Sequence, residues 1–381
     1  MNRSEISKTF AEFLESPYDK LRKRKVTWGK MMVGHLMPGV PPEIIHAAGM
    51  LPVALLGSNK PVSKVDAHMS QSICSLMRSN LEVALSGDLY FMDGIVLNHM
   101  CECARSMSQI WYDVFPTRFF DVVMLPKKLD SSPVVKARLM EELSRFNTNL
   151  EDFAGQKISN DSLKETISLY NQGRDHLRKL YAIKRDNPQL ISSRDVFSAI
   201  KSSVMMPKEE HNNLLSQLLS ELESQVGNRP VTDNAVKVVL VGMVIEPLDI
   251  LDIIEEVGGY VVGDNLSIGS RLIASDVRLD GDPKEAIIDH HLASPAFSGY
   301  VDPRVDSRQS LLKLVEENQA EGVIFVVLFQ CDPYVYDYPD LKTALDNSRI
   351  PNLQIQTDLW TTSLMPIRTR LQAFVERIRG V

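Results

Sequence analysis

Apolar positions along this chain follow two different periods, and the change between them divides it into three stretches. Val236–Val241 is apolar without interruption, as expected of a strand buried on both faces of a parallel sheet. Shorter runs at Leu51–Leu56, Gly94–His99, Asp121–Leu125, Tyr260–Val262, Gly322–Phe329 and Leu353–Gln356 predict further strands. Helical patterns alternate with them, including Glu43–Ala48, Asp249–Glu256 and a last helix over Ile367–Ile378. Such alternation predicts parallel sheets at both ends of the chain. From about Ser131 to Val226 the period lengthens. In His211–Val226, for instance, Leu214, Leu215, Leu218, Leu219 and Leu222 share one helical face.

Residues 1–34 also read as helical, with a basic stretch at Lys20–Lys25. The expected organisation is a first α/β domain with N-terminal helices over 1–130, a helical domain over 131–230, and a second α/β domain with a C-terminal helix over 231–381. Gly227-Asn228-Arg229-Pro230 reads as the linker before the last unit. Gly242 follows the strand at Val236, but neither GxGxxG nor GxxxxGK[ST] occurs. Dinucleotide and P-loop ATP binding therefore lack their sequence signatures.

A net charge of −7 argues against electrostatic nucleic-acid binding. No apolar run approaches the roughly 18 residues of a membrane span, and the opening Met1-Asn2-Arg3-Ser4-Glu5 carries no signal-peptide core, so a cytoplasmic location is expected. In a reducing compartment the four cysteines are expected as buried hydrophobes, metal ligands or catalytic thiols rather than disulfides. Two of them stand out by position. Cys101 closes the strand-like run from Gly94 and Cys331 closes the run from Gly322, and each is followed by an acid, Glu102 and Asp332. Ligands of open parallel sheets bind just beyond the carboxyl ends of the strands. Two thiols delivered there from opposite halves of the chain can meet across a cleft. No CxxC pair is present, which disfavours a structural zinc site; separate thiolates instead suit an iron–sulfur cluster.

Five segments, in order, resemble the benzoyl-CoA reductase and 2-hydroxyacyl-CoA dehydratase family. They are Gly39–Val53 with Pro41-Pro42-Glu43, then Cys74-Ser75-Leu76-Met77-Arg78-Ser79, and Cys101–Trp111 with Glu102 where Asp is usual. The last two are Gln330-Cys331-Asp332-Pro333-Tyr334 with its continuation to Pro339, and Arg368–Glu376 as a TRxxAFxE signature. The resemblance implies an α/β fold of two Rossmann-like (flavodoxin-like) parallel-sheet domains plus a helical domain. It implies a 4Fe–4S cluster held by Cys74, Cys101 and Cys331, with Cys103 set aside as structural. It also implies partners: a homologous larger cluster-bearing subunit, ATP-hydrolysing activator subunits and a ferredoxin donor. ATP would be hydrolysed on the activators and not on this chain. Cys101 to Trp111 and Gly281 to His291 are most similar to the smaller subunit of ATP-dependent benzoyl-CoA reductases, with an aryl-CoA as substrate. A 2-hydroxyacyl-CoA dehydratase subunit and a non-catalytic electron-relay or scaffold partner are the alternatives. Gln356-Thr357-Asp358, where the family often has Glu, and Met365-Pro366, where Gly-Gln is common, depart from the pattern.

Individual side chains carry two readings each. His99 stands two residues before Cys101, as a proton donor or as a hydrogen-bonded cap of its strand. Glu43 opens a helix after two prolines, where helix electrostatics or catalysis accounts for it. Arg105, Arg368 and Arg370 offer planar forks for phosphate or carboxylate, with ion pairing of the last two to Asp332 or Asp337 as the structural alternative. Asp332 itself is a candidate beside the site. His290-His291 reads as a surface helix end before Ala293-Ser294-Pro295, and Tyr334, Tyr336 and Tyr338 as a loop packed on its own domain. Asp264, after Val261-Val262-Gly263, reads as a ligand-loop residue or a helix cap.

Overall fold

The computed structural model describes residues 2–130, 132–226, 235–295, 298–302 and 304–380. The linker expected at Gly227–Pro230 lies outside them. In chain order the elements of the first half are α1 (Arg3–Glu15), α2 (Pro17–Trp28), β1 (Met32–His35), α3 (Pro42–Ala47), β2 (Leu51–Ala54), α4 (Ser75–Leu85), β3 (Gly94–Asn98), α5 (Glu102–Val114) and β4 (Phe119–Val123). Four helices follow: α6 (Pro133–Ala154), α7 (Asn160–Asp186), α8 (Ser193–Ser202) and α9 (Lys208–Glu223). The second half contains β5 (Val236–Gly242), α10 (Asp249–Glu256), β6 (Gly259–Leu266), α11 (Pro283–Ala293), α12 (Ser307–Glu317), β7 (Gly322–Leu328), α13 (Asp332–Asn347), β8 (Asn352–Thr357) and α14 (Met365–Arg379).

The fold is α/β, with two four-stranded, wholly parallel sheets ordered β2-β1-β3-β4 and β6-β5-β7-β8. In both, the first strand in sequence lies between the second and the third, so the chain reverses direction across the sheet there. The crevice beyond the carboxyl ends at that reversal is the usual ligand position. β5 and β7 are buried along almost their whole length, which explains their uninterrupted apolar sequence. They approach closely at the end of β5, where a Cβ on Gly242 would stand 2.2 Å from the Val326 carbonyl oxygen.

Residues 1–34 are not helical throughout, because α2 ends at Trp28 on Gly29 (φ +63°) and Met32 begins the inner strand of the first sheet. Its four residues include Gly34 and His35, so no apolar run announces it; pairing on both sides supplies what propensity lacks.

The helices between the sheets tie them together. α1 packs on α8 and α9, while α7 packs on α9, α3 and β6 and so touches both halves. Lys184 of α7 is buried and fully engaged, donating to the carbonyls of Pro188 (3.0 Å) and Ile191 (2.8 Å) and to Glu255 of α10 (2.9 Å). A further link joins Lys127–Leu129 to Val301 through backbone hydrogen bonds of 2.7 and 2.8 Å.

Candidate metal centre and adjoining cavity

Cys101 follows β3 and caps α5, and Cys331 follows β7 and caps α13, so the two occupy equivalent places at the reversal points of the two sheets. Cys74 caps α4. Three helix N-termini thus deliver three thiols, and the helix dipoles favour negative charge there. Backbone ties hold this arrangement across the halves. Ser75 N–H donates to the Phe329 carbonyl at 3.1 Å, joining α4 to the loop after β7. Asn98, at the end of β3, donates to the carbonyls of Leu36 (3.1 Å) and Pro38 (2.6 Å) and accepts from Met100 N–H (3.2 Å). That side chain fixes the loop carrying Cys101 against the loop after β1.

Cys74, Cys101 and Cys331 line one recess, with Met77, Met100, Met243 and Asp332 among its walls. Cys103 lines it too. The motif positions set it aside as a structural residue, but its sulfur lies in hydrogen-bonding range of Cys74 and Cys101. The hydrogen bond with Cys103, then burial, raises the pKa of both Cys74 and Cys101, while burial pushes the Cys331 thiol up to about 12. Cys103 moves the other way, because the Cys101 and Cys74 thiols donate to its sulfur.

The donor set is soft, buried and apolar-walled, which fits an iron–sulfur centre. Among the described residues no group of three or more His, Cys, Asp and Glu is arranged to hold a metal ion. The recess is narrow, about 10 Å³, with the thiols turned toward one another; it is the donor set and not the void that fits. Thiolate ligation there displaces protons, as metal binding by cysteine does generally.

Beside the recess lies a larger cavity of about 210 Å³ between the two sheets and the helices. Two contacts join them. Tyr300 lines the cavity and is close enough to Cys101 for a thiolate there to raise the phenol pKa, after burial. Ser267 lines the cavity and shares a 2.8 Å hydrogen bond with the Tyr334 hydroxyl, while Tyr334 N–H donates to the Cys331 carbonyl at 3.1 Å. Gly39 forms part of the cavity wall at φ +117°, where a Cβ would meet Leu125 at 2.9 Å and Asn98 at 3.1 Å. A glycine is required there on both grounds.

The polar side of the cavity centres on Glu43. It is buried and ion-paired with Arg174 of α7, whose other nitrogen donates to Asn171 at 2.8 Å. Asn171 is held in turn by the backbone of Val277, at 2.7 and 3.0 Å. Burial alone would raise the pKa of Glu43, but the charge and hydrogen bond of Arg174 more than offset it and hold the carboxyl below its ordinary value. Glu43 is thus an anion at neutral pH and not a proton donor. Lys208, pushed down to about 8 by burial, donates to the Ser203 carbonyl at 2.6 Å and lies over the Tyr170 ring.

His290 and His291 do not form a surface helix end. Both line the cavity near the end of α11: His290 Nε2–H donates to the Ser275 carbonyl at 3.1 Å, and the His291 ring meets Tyr300 edge-on at 6.2 Å. Burial lowers the pKa of His291 to about 4. Their polar neighbours suggested solvent, but Ile287 and Ile288 anchor the helix in the core and turn the pair inward.

Other expected site residues lie elsewhere. His99 bonds the Ser108 hydroxyl at 3.0 Å, and that hydroxyl donates to the Arg105 carbonyl, so His99 carries its proton on Nδ1 and accepts at Nε2 only if the hydroxyl turns; with the hydroxyl committed to the carbonyl, the proton sits on Nε2. Arg105 is exposed, 3.5 Å from Glu102. Arg368 pairs with Glu256, and Arg370 donates to the Gln354 carbonyl at 2.8 Å; neither bonds Asp332 or Asp337, because α14 packs on α10 and β8. Tyr334, Tyr336 and Tyr338 belong to α13 and not to a loop. Tyr334 is buried, Tyr338 stands edge-on to Phe325 at 4.9 Å, and Tyr336 is exposed. Asp264 lies within β6, buried, and accepts from Leu266 and Ser270 N–H at 3.0 and 2.9 Å and from Tyr181.

With this geometry in place, comparison with known proteins decides the family. Residues 39–378 match the family model described as 2-hydroxyglutaryl-CoA dehydratase, D-component. The chain belongs to that family. Among the family's proteins, a benzoyl-CoA reductase subunit of Thauera aromatica is 30% identical over 92% of this chain and 91% of its own length. The (R)-phenyllactyl-CoA dehydratase beta subunit of Clostridium sporogenes is 27% identical over 99% of this chain and its full length, 100%. The (R)-2-hydroxyglutaryl-CoA dehydratase beta subunit of Acidaminococcus fermentans is 27% identical over 98% of this chain and 99% of its own. The family is thus one of acyl-CoA dehydratase and reductase type, and these relatives are named as subunits. Among the described residues no helix is long and apolar enough to cross a membrane.

Proposed function

We propose that this chain is the iron–sulfur subunit of an ATP-dependent aryl-CoA reductase of the benzoyl-CoA type. Its work would be to take low-potential electrons from an activator and reduce an aromatic acyl-CoA to a cyclic dienoyl-CoA. The observation that carries the reading is the meeting of thiols from both sheets, at three helix N-termini, one wall away from an acyl-sized cavity. Cys74, Cys101 and Cys331 would hold a 4Fe–4S cluster, which supplies one-electron transfer at low potential when bound.

The chain's own residues do the rest. Leu125, Leu129, Leu139, Leu143, Ile287 and Ile288 give the cavity an apolar lining that suits an aryl or alkyl group and excludes water. Glu43, kept ionised by Arg174, orients polar groups rather than donating a proton. His290 holds its Nε2 proton on the Ser275 carbonyl and so presents Nδ1 as an acceptor. Lys208 keeps its Nζ proton at neutral pH and stands at the cavity wall formed by Tyr170 and Ser203. Arg105, exposed beside Cys101, and Asp332, in the recess wall, would bind or shape the approach to the site. The partners are a homologous larger cluster-bearing subunit, activator subunits that hydrolyse ATP, and a ferredoxin.

A dehydratase is the second reading, favoured because the phenyllactyl-CoA and 2-hydroxyglutaryl-CoA relatives align over nearly the whole chain. The deciding experiment is an anaerobic assay of the purified complex with activator and ATP, offering benzoyl-CoA and a 2-hydroxyacyl-CoA in parallel. Formation of a cyclic dienoyl-CoA is expected. An enoyl-CoA from the hydroxyacyl substrate alone would replace the reductase with the dehydratase.

A further inference from the structure

On the iron–sulfur reading above, we infer that Cys103 is a fourth thiolate ligand of this chain's cluster, closing its coordination. The motif positions imply three ligands and leave Cys103 out. The structure places it otherwise. Cys103 lines the same recess as the other three, is 4% exposed, and faces sulfur on two sides, Cys74 from α4 and Cys101 from the cap of α5. A cysteine that serves only as a small hydrophobe packs against carbon.

Residues two apart on a helix ordinarily diverge. Cys101 escapes that rule because it is the cap. Its backbone is extended (φ −149°, ψ 174°), and its sulfur turns back over the first turn to accept from Ala104 N–H at 3.4 Å. Cys103 is the second helical residue, so the cap geometry brings both sulfurs of this C-x-C to one side. The other polar lining group among the described residues, Asp332, is a hard carboxylate that competes poorly for iron already bound by thiolates.

Four protein thiolates leave no iron open to a thioester oxygen or to water. This chain's cluster would then take up and release electrons singly without bonding substrate; Tyr300, which lines the cavity, lies near Cys101.

The test uses the complex purified anaerobically and grown on isotopically enriched iron, read by Mössbauer and EPR spectroscopy. Mild ferricyanide oxidation strips an open iron and leaves a 3Fe–4S signal. Cys103→Ala is expected to lose one of its four irons from this chain and gain that signal, whereas the wild type keeps all four. Cys103→Ser preserves volume if the alanine variant does not fold; it is expected to shift the Mössbauer signature of one iron. Equal iron loss in wild type and Cys103→Ala, or a Cys103→Ser spectrum superimposable on wild type, overturns the inference alone. A wild-type chain that binds no iron overturns both it and the proposed function.

Discussion

In the recess, four thiols converge from three helix N-termini, and those of Cys74, Cys101 and Cys103 hydrogen-bond among themselves; in the cavity next to it, the central charged groups have dedicated partners. Glu43 is fixed by Arg174, Arg174 by Asn171, and Asn171 by the backbone of Val277. The recess is thus poised to exchange protons for a metal cluster, which would complete it. The cavity's central ion pair is already oriented without a ligand. One chain carries both because α7 and the loop around Tyr300 bind its two halves into one wall.

The largest effect should come from breaking the cavity's network. Arg174→Met leaves the carboxylate of Glu43 buried without a counter-charge, a loss of about 3–5 kcal/mol in chemical denaturation. The double variant Arg174→Met, Glu43→Gln should recover much of it. If the single variant is as stable as wild type, the cavity is not preorganised in the way described.

Acid should come next. Burial holds His35 and His291 at about 4, against an ordinary value of 6.5. Depressed histidines bind fewer protons folded than unfolded, so their contribution is full above the unfolded value. It is lost as pH falls from about 6.5 toward 4. Each should remove about 1 kcal/mol by about pH 5.5, measured as a fall in denaturation midpoint that His291→Asn reduces. A stability that rises on acidification over that range contradicts the burial of these rings.

The smallest effect separates the site from the periphery. Arg368→Ala removes a half-exposed ion pair with Glu256 and should change stability by less than about 1 kcal/mol, with bound iron unchanged. Loss of iron in this variant would bring α14 into the metal centre.

Much of this architecture is legible in the residues. Val236–Val241 and Gly322–Phe329 are apolar because both faces of those strands are covered, and they form strands within a residue of the expected bounds. β1 is not legible, since four residues containing Gly34 and His35 become a strand only through the neighbours on either side. Strand-end position and motif single out Cys74, Cys101 and Cys331, and the fold brings them together. Cys103 is set aside as structural because the family motif gives it no counterpart among the ligands; only the cap geometry of α5, invisible in the residues, puts it in the same recess as Cys101. Arg174 leaves no signal at all: it sits among many charges on a long amphipathic helix, and only its contact with Glu43 distinguishes it.

The central claim is that thiols from both halves hold one iron–sulfur cluster, and iron and acid-labile sulfide per chain test it most directly. Anaerobically purified wild type should carry a full 4Fe–4S complement on this chain, and Cys331→Ser, altering only the second sheet's thiol, should lose it. A wild type without iron and sulfide, or a Cys74, Cys101, Cys331 triple serine variant that keeps a full cluster, would contradict it.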